Sequence, residues 1–180
     1  MPDALSQLPW SGSLKVRGLV TIALLIALIL INQPLVTPAA PQGMISLQMA
    51  ETLARSQPIL SEWQGQELWA QGLLAFEFVF ILSYLSFLLG LDRHLLSERP
   101  GVREQKTGKV ARRLFIVGAG ADALENIGLL WMLSDPLAAL PLTITLLALI
   151  KFSALALGLA GLVVLRFARG HPLNEPEKKV

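Results

Sequence analysis

The chain has no cysteine and only two histidines, His94 and His171. Without cysteine there can be no disulfide framework, iron–sulfur cluster, cysteine zinc site or thiol chemistry. Neither histidine lies in an apolar stretch, which argues against a bis-histidine haem inside a bundle. No cofactor is expected. Charge is also scarce. Charged residues make up 16% of the chain, where a soluble domain carries ~25%. A disordered chain, a coiled coil and an ordinary soluble globule are thereby excluded. What is present is apolar: 53% of 180 residues are hydrophobic and the mean hydropathy is +0.58. A membrane protein is the reading that fits.

A bilayer core ~30 Å thick needs ~20 mostly apolar helical residues to cross it. Four stretches qualify: 18–32, 69–91, 113–133 and 141–165. The first is short, and Leu14 and Val16 can extend it while Lys15 and Arg17 snorkel. Backbone polar groups in lipid must be satisfied within the segment, so these spans are predicted helices. The expected fold is an all-α, four-helix transmembrane bundle of one integral-membrane domain, residues 1–180.

Cation placement then orients the bundle. Of the 15 Lys and Arg residues, 13 precede span one, separate spans two and three, or follow span four. The positive-inside rule puts those segments, and both termini, in the cytoplasm of an inner-membrane protein. The segments are the N-terminus, a basic loop at 92–112 and a tail at 166–180. The loop at 33–68 then faces outward. A cleaved leader is the lesser alternative for span one, because small residues follow it at Thr37-Pro38-Ala39-Ala40. An uncleaved helix gives a consistent four-span topology. The bilayer is the expected partner of the basic loop, through its anionic headgroups. A second copy of the chain or a larger membrane complex is a further candidate. Nucleic acid is not expected, since no aromatic residues interleave these cations and no binding motif accompanies them.

In the outer loop, Ile45, Met49 and Leu53 recur every four residues. This predicts one short amphipathic helix, stopped near Pro58. It is expected to rest on the membrane surface, a position compatible with a lid over the bundle mouth. Ser61-Glu62-Trp63-Gln64 fits a capping box that would start span two near Glu62. Trp63 and Trp69 fall where an interfacial aromatic belt is expected. In span three, Gly118-Ala119-Gly120-Ala121-Asp122-Ala123 matches a dinucleotide fingerprint. Its context of long apolar helices is wrong for a Rossmann unit. These small residues, with Ala154, Gly158, Ala160 and Gly161 in span four, instead suit close helix contact in lipid.

Four ionisable residues lie within the spans: Glu77, Asp122, Glu125 and Lys151. Tyr84 and Asn126 add polar groups. Each acid or lysine at a helix centre costs about 2.5–3.5 kcal/mol, so such residues face a bundle interior. Asp122, Glu125 and Asn126 share one helix face. Glu77 and Tyr84, seven apart, nearly share another. At ~1.5 Å rise per residue, Glu77, Glu125 and Lys151 all fall ~12–15 Å from the outer boundary. Matching depth on three helices predicts one polar cluster. Three acids and one lysine leave two negative charges to be balanced by protons, a bound cation or a ligand amine.

At these residues the chain resembles a group of uncharacterised small four-span bacterial membrane proteins. The resemblance rests on Leu47-Gln48-Met49-Ala50 with Ile59-Leu60, and on Phe76-Glu77-Phe78-Val79-Phe80-Ile81-Leu82-Ser83-Tyr84. It continues with Asp122-Ala123-Leu124-Glu125-Asn126 and Lys151-Phe152. Residues 44–165 are covered. The group more often has Asp where this chain has Glu77. The resemblance implies a four-helix membrane bundle and these polar positions, and it supplies no substrate.

Three functions follow. The first is binding or exchange of a small cation, proton or amine-bearing or lipid-like ligand at the acidic cluster. The second is a structural or assembly subunit, with the cluster as interhelical glue. The third is an integral-membrane enzyme using carboxyl acid–base chemistry on a lipid-like substrate. No nucleophile–base constellation or phosphate loop supports the third, so the reading leans away from an enzyme.

Overall fold

A computed structural model describes residues 11–97 and 101–168. Arg99, Arg169, His171, Lys178 and Lys179 lie outside the described residues, as does the tail from 169 on. Among the described residues the protein is all-helical. Helix α1 spans Gly12–Asn32, α2 Met44–Gln48, α3 Leu53–Glu62, α4 Glu67–Leu95, α5 Val102–Ser134 and α6 Pro141–Ala168, with a 3₁₀ turn at Gln33–Leu35. Four of these, α1, α4, α5 and α6, are long and apolar enough to cross a membrane. The protein is thus a multi-pass, four-helix membrane bundle.

Local chemistry sets the helix limits. The Ser11 hydroxyl accepts from the Leu14 N–H at 3.3 Å and caps α1, which therefore starts six residues before the apolar run. Pro34 follows the end of α1. Asp135 ends α5 and accepts from the Leu137 N–H at 3.1 Å. Pro141 then occupies the first position of α6, where its missing N–H costs nothing.

Most of the basic segment at 92–112 is helical rather than a loop. Helix α4 runs on to Leu95 and α5 begins at Val102. Its Arg, Lys, Gln, Glu and Ala residues are good helix formers. The hairpin is tied across by a salt bridge from Arg112 to Asp92 Oδ2 at 2.7 Å, with Asp92 fully buried.

The loop between α1 and α4 also differs from expectation. Two short helices replace the single one, and the chain breaks between them at Glu51, whose φ is 54°. That break is fastened to α6. The Thr145 hydroxyl accepts from the Glu51 N–H at 3.1 Å and donates to the Gln48 carbonyl at 2.8 Å. Pro58 does not stop α3 but sits inside it. Pro58 and Ala54, whose carbonyl loses the bond, both face out of the bundle, so the proline ring meets no packed neighbour there. Ser61 caps nothing; its hydroxyl donates to the Pro58 carbonyl at 3.0 Å. The break before α4 falls at Gly65, with φ of 84°.

The loop is folded into the bundle rather than laid beside it. Leu35, Met44, Leu47, Ile59 and Trp63 form one core with Leu73, Leu74, Leu129, Met132 and Ile144 of the spanning helices. Trp63 is accordingly no interfacial anchor. It is 1% exposed and donates to the Leu35 carbonyl at 2.9 Å, whereas Trp69 is 47% exposed. Gly43 makes the first turn. Its φ is 60°, and an added Cβ would overlap the Asn32 amide. That amide accepts from the Met44 N–H at 2.9 Å and donates to the Gln42 carbonyl at 3.2 Å.

The spanning helices pack in chain order, α1 on α4, α4 on α5 and α5 on α6, with the last pair the most extensive. Small residues permit that contact. A Cβ on Gly158 would meet the Phe115 ring at 2.5 Å, and one on Gly118 would meet Leu155 at 3.1 Å and the Lys151 carbonyl at 3.4 Å. Gly120 and Ala160 do not contribute; a Cβ on Gly120 meets nothing, and Ala160 is exposed. Gly158→Ala should therefore destabilise the folded protein by about 1–3 kcal/mol through overpacking against the fully buried Phe115. Gly120→Ala should be neutral or slightly stabilising. Thermal unfolding in micelles measures both, and equal effects would show that this interface is not tightly packed.

The loop also carries a pH-dependent tie. The Glu62 carboxylate takes hydrogen bonds from the Thr37 hydroxyl and the Ala39 N–H, which hold it below the usual carboxylate range. A depressed folded value means that this stabilisation is present above the unfolded value and fades as pH falls through the folded one. The protection of the Ala39 amide, its exchange rate relative to an unstructured amide at the same pH, should fall on acidification below the carboxylate range, and Glu62→Gln should abolish that dependence.

Candidate functional site

Three helices, α4, α5 and α6, bring six polar side chains together between the spans. Asp122, Glu125 and Asn126 project from one face of α5, one turn apart, because i, i+3 and i+4 coincide on a helix. All three are buried. Lys151 of α6 is 4% exposed and reaches both acids, with Nζ 3.0 Å from Asp122 Oδ1 and 2.8 Å from Glu125 Oε2. The close approach at Gly118, directly against the Lys151 backbone, sets this reach. The remaining Asp122 oxygen, Oδ2, accepts from the Tyr84 hydroxyl of α4 at 2.9 Å. Tyr84 is itself held edge-on by Phe80, at 5.3 Å between ring centroids. The Lys151 ammonium also lies 4.8 Å from the Phe152 ring centroid.

Glu77 of α4 occupies the same polar region and faces the Asn126 amide. No cation lies within ion-pair distance of it among the described residues, and its Oε2 is buried without a hydrogen-bond partner. Both polar atoms of the Asn126 side chain are likewise unpartnered, as is Glu125 Oε1. The six residues therefore divide into two sets. Lys151, Asp122, Glu125 and Tyr84 are engaged with one another. Glu77 and Asn126 face each other outside that set.

A groove of about 470 Å³ opens onto this cluster. Its walls come from α1 (Leu25, Ile29) and α6 (Phe152, Leu155), and Met44 and Gln48 of α2 close the loop end. Glu77, Tyr84, Asp122 and Lys151 line its floor. The groove exists because α1 packs on α4 and leaves α6 beyond reach. Leu25, Ile29, Phe152 and Leu159 remain 44–53% exposed along its rim. Among the described residues no grouping of His, Cys, Asp and Glu suits a metal ion.

Sequence reasoning missed four contributors. Thr145, which fastens the loop roof to α6, looks like any threonine in an apolar run. Asp92 carried a signal: it is a lone acid among cations at the edge of a span. The Thr21 and Ser83 hydroxyls, 2.9 Å apart, link α1 to α4 beside the groove. Both lie in long apolar runs and gave no distinguishing pattern.

No family model, curated protein or solved structure matches this chain.

Removing Lys151 would leave two buried carboxylates without a counter-charge. Lys151→Met should cost about 3–5 kcal/mol of stability or abolish folded yield. Adding Asp122→Asn and Glu125→Gln to that variant should restore much of the loss. Thermal unfolding and yield from membranes measure this. A stable single variant would show that the ion pairs do not hold α5 to α6.

Proposed function

We propose that the protein binds a small cationic or amine-bearing ligand at the intramembrane acidic cluster. The observation that carries this reading is the state of Glu77. It is an acid at the floor of a groove, and its cluster's only cation is already held by two other carboxylates. A buried carboxyl without a partner is costly. A bound ammonium would supply both the charge and the hydrogen-bond donors that Glu77 and the Asn126 carbonyl lack. A proton can occupy the same carboxyl when no ligand is bound, so binding and proton release are coupled.

The engaged set supports a second role alongside this one. Lys151 between Asp122 and Glu125 serves as interhelical glue, as an assembly subunit would need. The two roles fall on different residues and do not compete.

We also propose that the protein sits in the cell membrane with its termini and the α4–α5 hairpin in the cytoplasm. Lys15, Arg17, Arg93, Arg103, Lys106, Lys109, Arg112, Arg113 and Arg166 cluster toward that end of the bundle. The opposite loop carries Glu51, Glu62 and Glu67 against Arg55. The groove roof formed by α2 is then on the outer side.

Two measurements test these readings. Saturation-transfer NMR of the full chain in micelles should detect butylamine binding. Glu77→Gln should weaken that binding at least about tenfold, equivalent to ~1.4 kcal/mol, without loss of fold. Unchanged binding in this variant would refute the assignment. Because the chain has no cysteine, single-cysteine labelling reports orientation directly. Gln57→Cys should react with an impermeant maleimide added outside intact cells, and Thr107→Cys only after lysis.

A further inference from the structure

The groove has more room than a small amine needs. Its α1 wall runs from Thr21 to Asn32, roughly 16 Å at ~1.5 Å per residue, the length of an extended chain of about a dozen carbons. Its volume, about 470 Å³, falls within the ~300–1,000 Å³ of small-molecule sites. Polarity is unevenly distributed along it. Glu77 sits one turn below Leu73, near the roof made by α2. Toward the opposite end, beyond the Thr21 hydroxyl that is engaged with Ser83, the lining is Phe87, Leu88, Leu155 and Leu159. These side chains offer no hydrogen-bond group and suit only an apolar occupant.

The opening faces sideways. The groove lies between two membrane-spanning helices, α1 and α6, and its rim residues Leu25, Ile29, Phe152 and Leu159 are half exposed. At the depth of a spanning helix that exposure is to hydrocarbon. A ligand whose body is apolar can slide in from the bilayer, whereas a hydrophilic one must cross it. The loop end is closed against water by Met44, Ile45 and Gln48, fastened through Thr145.

The head of the occupant is set by what the floor lacks. The Lys151 ammonium is 3.0 Å and 2.8 Å from two carboxylates, which offsets its attraction for an anionic headgroup. The second Asp122 oxygen is taken by Tyr84. Glu125 Oε1 belongs to a carboxylate already paired with Lys151, which leaves two unsatisfied acceptors, Glu77 Oε2 at the floor and Asn126 Oδ1 behind it. Both accept hydrogen bonds, and one carries negative charge. A primary ammonium has three N–H donors and matches them. A quaternary ammonium has the charge and no donor.

We propose that the ligand is a long-chain primary amine that enters sideways from the bilayer between α1 and α6. Its ammonium rests on Glu77, and its chain lies along the groove toward Leu88 and Leu159. The inference rests on the amine-binding reading above and specifies the ligand's class and route.

The full-length protein in phosphatidylcholine nanodiscs is labelled with a dodecylamine that carries a photoactivatable diazirine at its chain end. Adducts are mapped by peptide mass spectrometry. The expected result is labelling confined to groove residues such as Leu25, Leu88 and Leu159. Labelling should be lost in Glu77→Gln and suppressed by excess dodecylamine. Dodecanol and dodecyltrimethylammonium should protect at least about tenfold less, since neither makes a charge-assisted N–H bond. Ile29→Trp, which fills the groove from the exposed face of α1, should also suppress labelling.

Adducts of equal yield at the lipid-facing Leu82 and Trp131 would overturn the proposal. So would groove labelling that survives Glu77→Gln, or equal protection by dodecanol or by the quaternary amine. Failure can be assigned. Butylamine that still binds while groove labelling is absent refutes the long-chain ligand alone. Loss of both refutes the amine site as well.

Discussion

A single ammonium held between two carboxylates in the membrane interior governs this structure. Lys151 donates to Asp122 and approaches Glu125 at ion-pair distance on the neighbouring helix. In hydrocarbon none of the three groups has water as an alternative, so each is costly alone and tolerable only together. The pairing therefore fixes the register of α5 against α6. It also demands close approach, and the glycines at 118 and 158 supply it. Tyr84 extends the same network to α4 by binding the remaining Asp122 oxygen. Three of the four spanning helices are thus joined by one polar node. Helix α1 takes no part in it and, among the spanning helices, packs mainly on α4, which leaves the groove open toward α6.

That asymmetry connects stability to function. Because Lys151 is fully occupied, the third acid, Glu77, has no internal counter-charge. It faces Asn126, whose amide is also unsatisfied, at the floor of a groove walled by apolar side chains. One set of polar residues holds the helices and the other stands ready for a ligand. The loop contributes by closing one end of the groove. Its fold depends on a left-handed glycine at Gly43, the Asn32 amide beneath it and the Thr145 hydroxyl on α6.

The four spans, the polar residues inside them and their shared depth were legible in the sequence. Long apolar runs have one solution in lipid, and an acid or lysine inside such a run has few places to face. Where the chain leaves the hydrocarbon, local patterns were weaker guides. Ser61 and Gln64 have the spacing of a capping box, yet Gly65 and the buried Trp63 place the helix break later. Pro58 marks a helix end by its chemistry, yet it is tolerated on an exposed face. The basic segment at 92–112 reads as a loop by its polarity, yet its residues favour helix and the Asp92–Arg112 bridge extends the hairpin.

The sequence alone determined that this is a four-helix membrane protein with an excess of acid in its interior. Those properties follow from composition and period, which need no knowledge of neighbours. Only the tertiary structure decided which acid is left over. Glu77, Asp122 and Glu125 are equivalent in the sequence, each a carboxyl in an apolar helix. Lys151 can reach just two of them from one helix face, and the packing distance at Gly118 selects Asp122 and Glu125. The open side of the bundle was decided the same way, by which helices α1 touches rather than by any residue within α1.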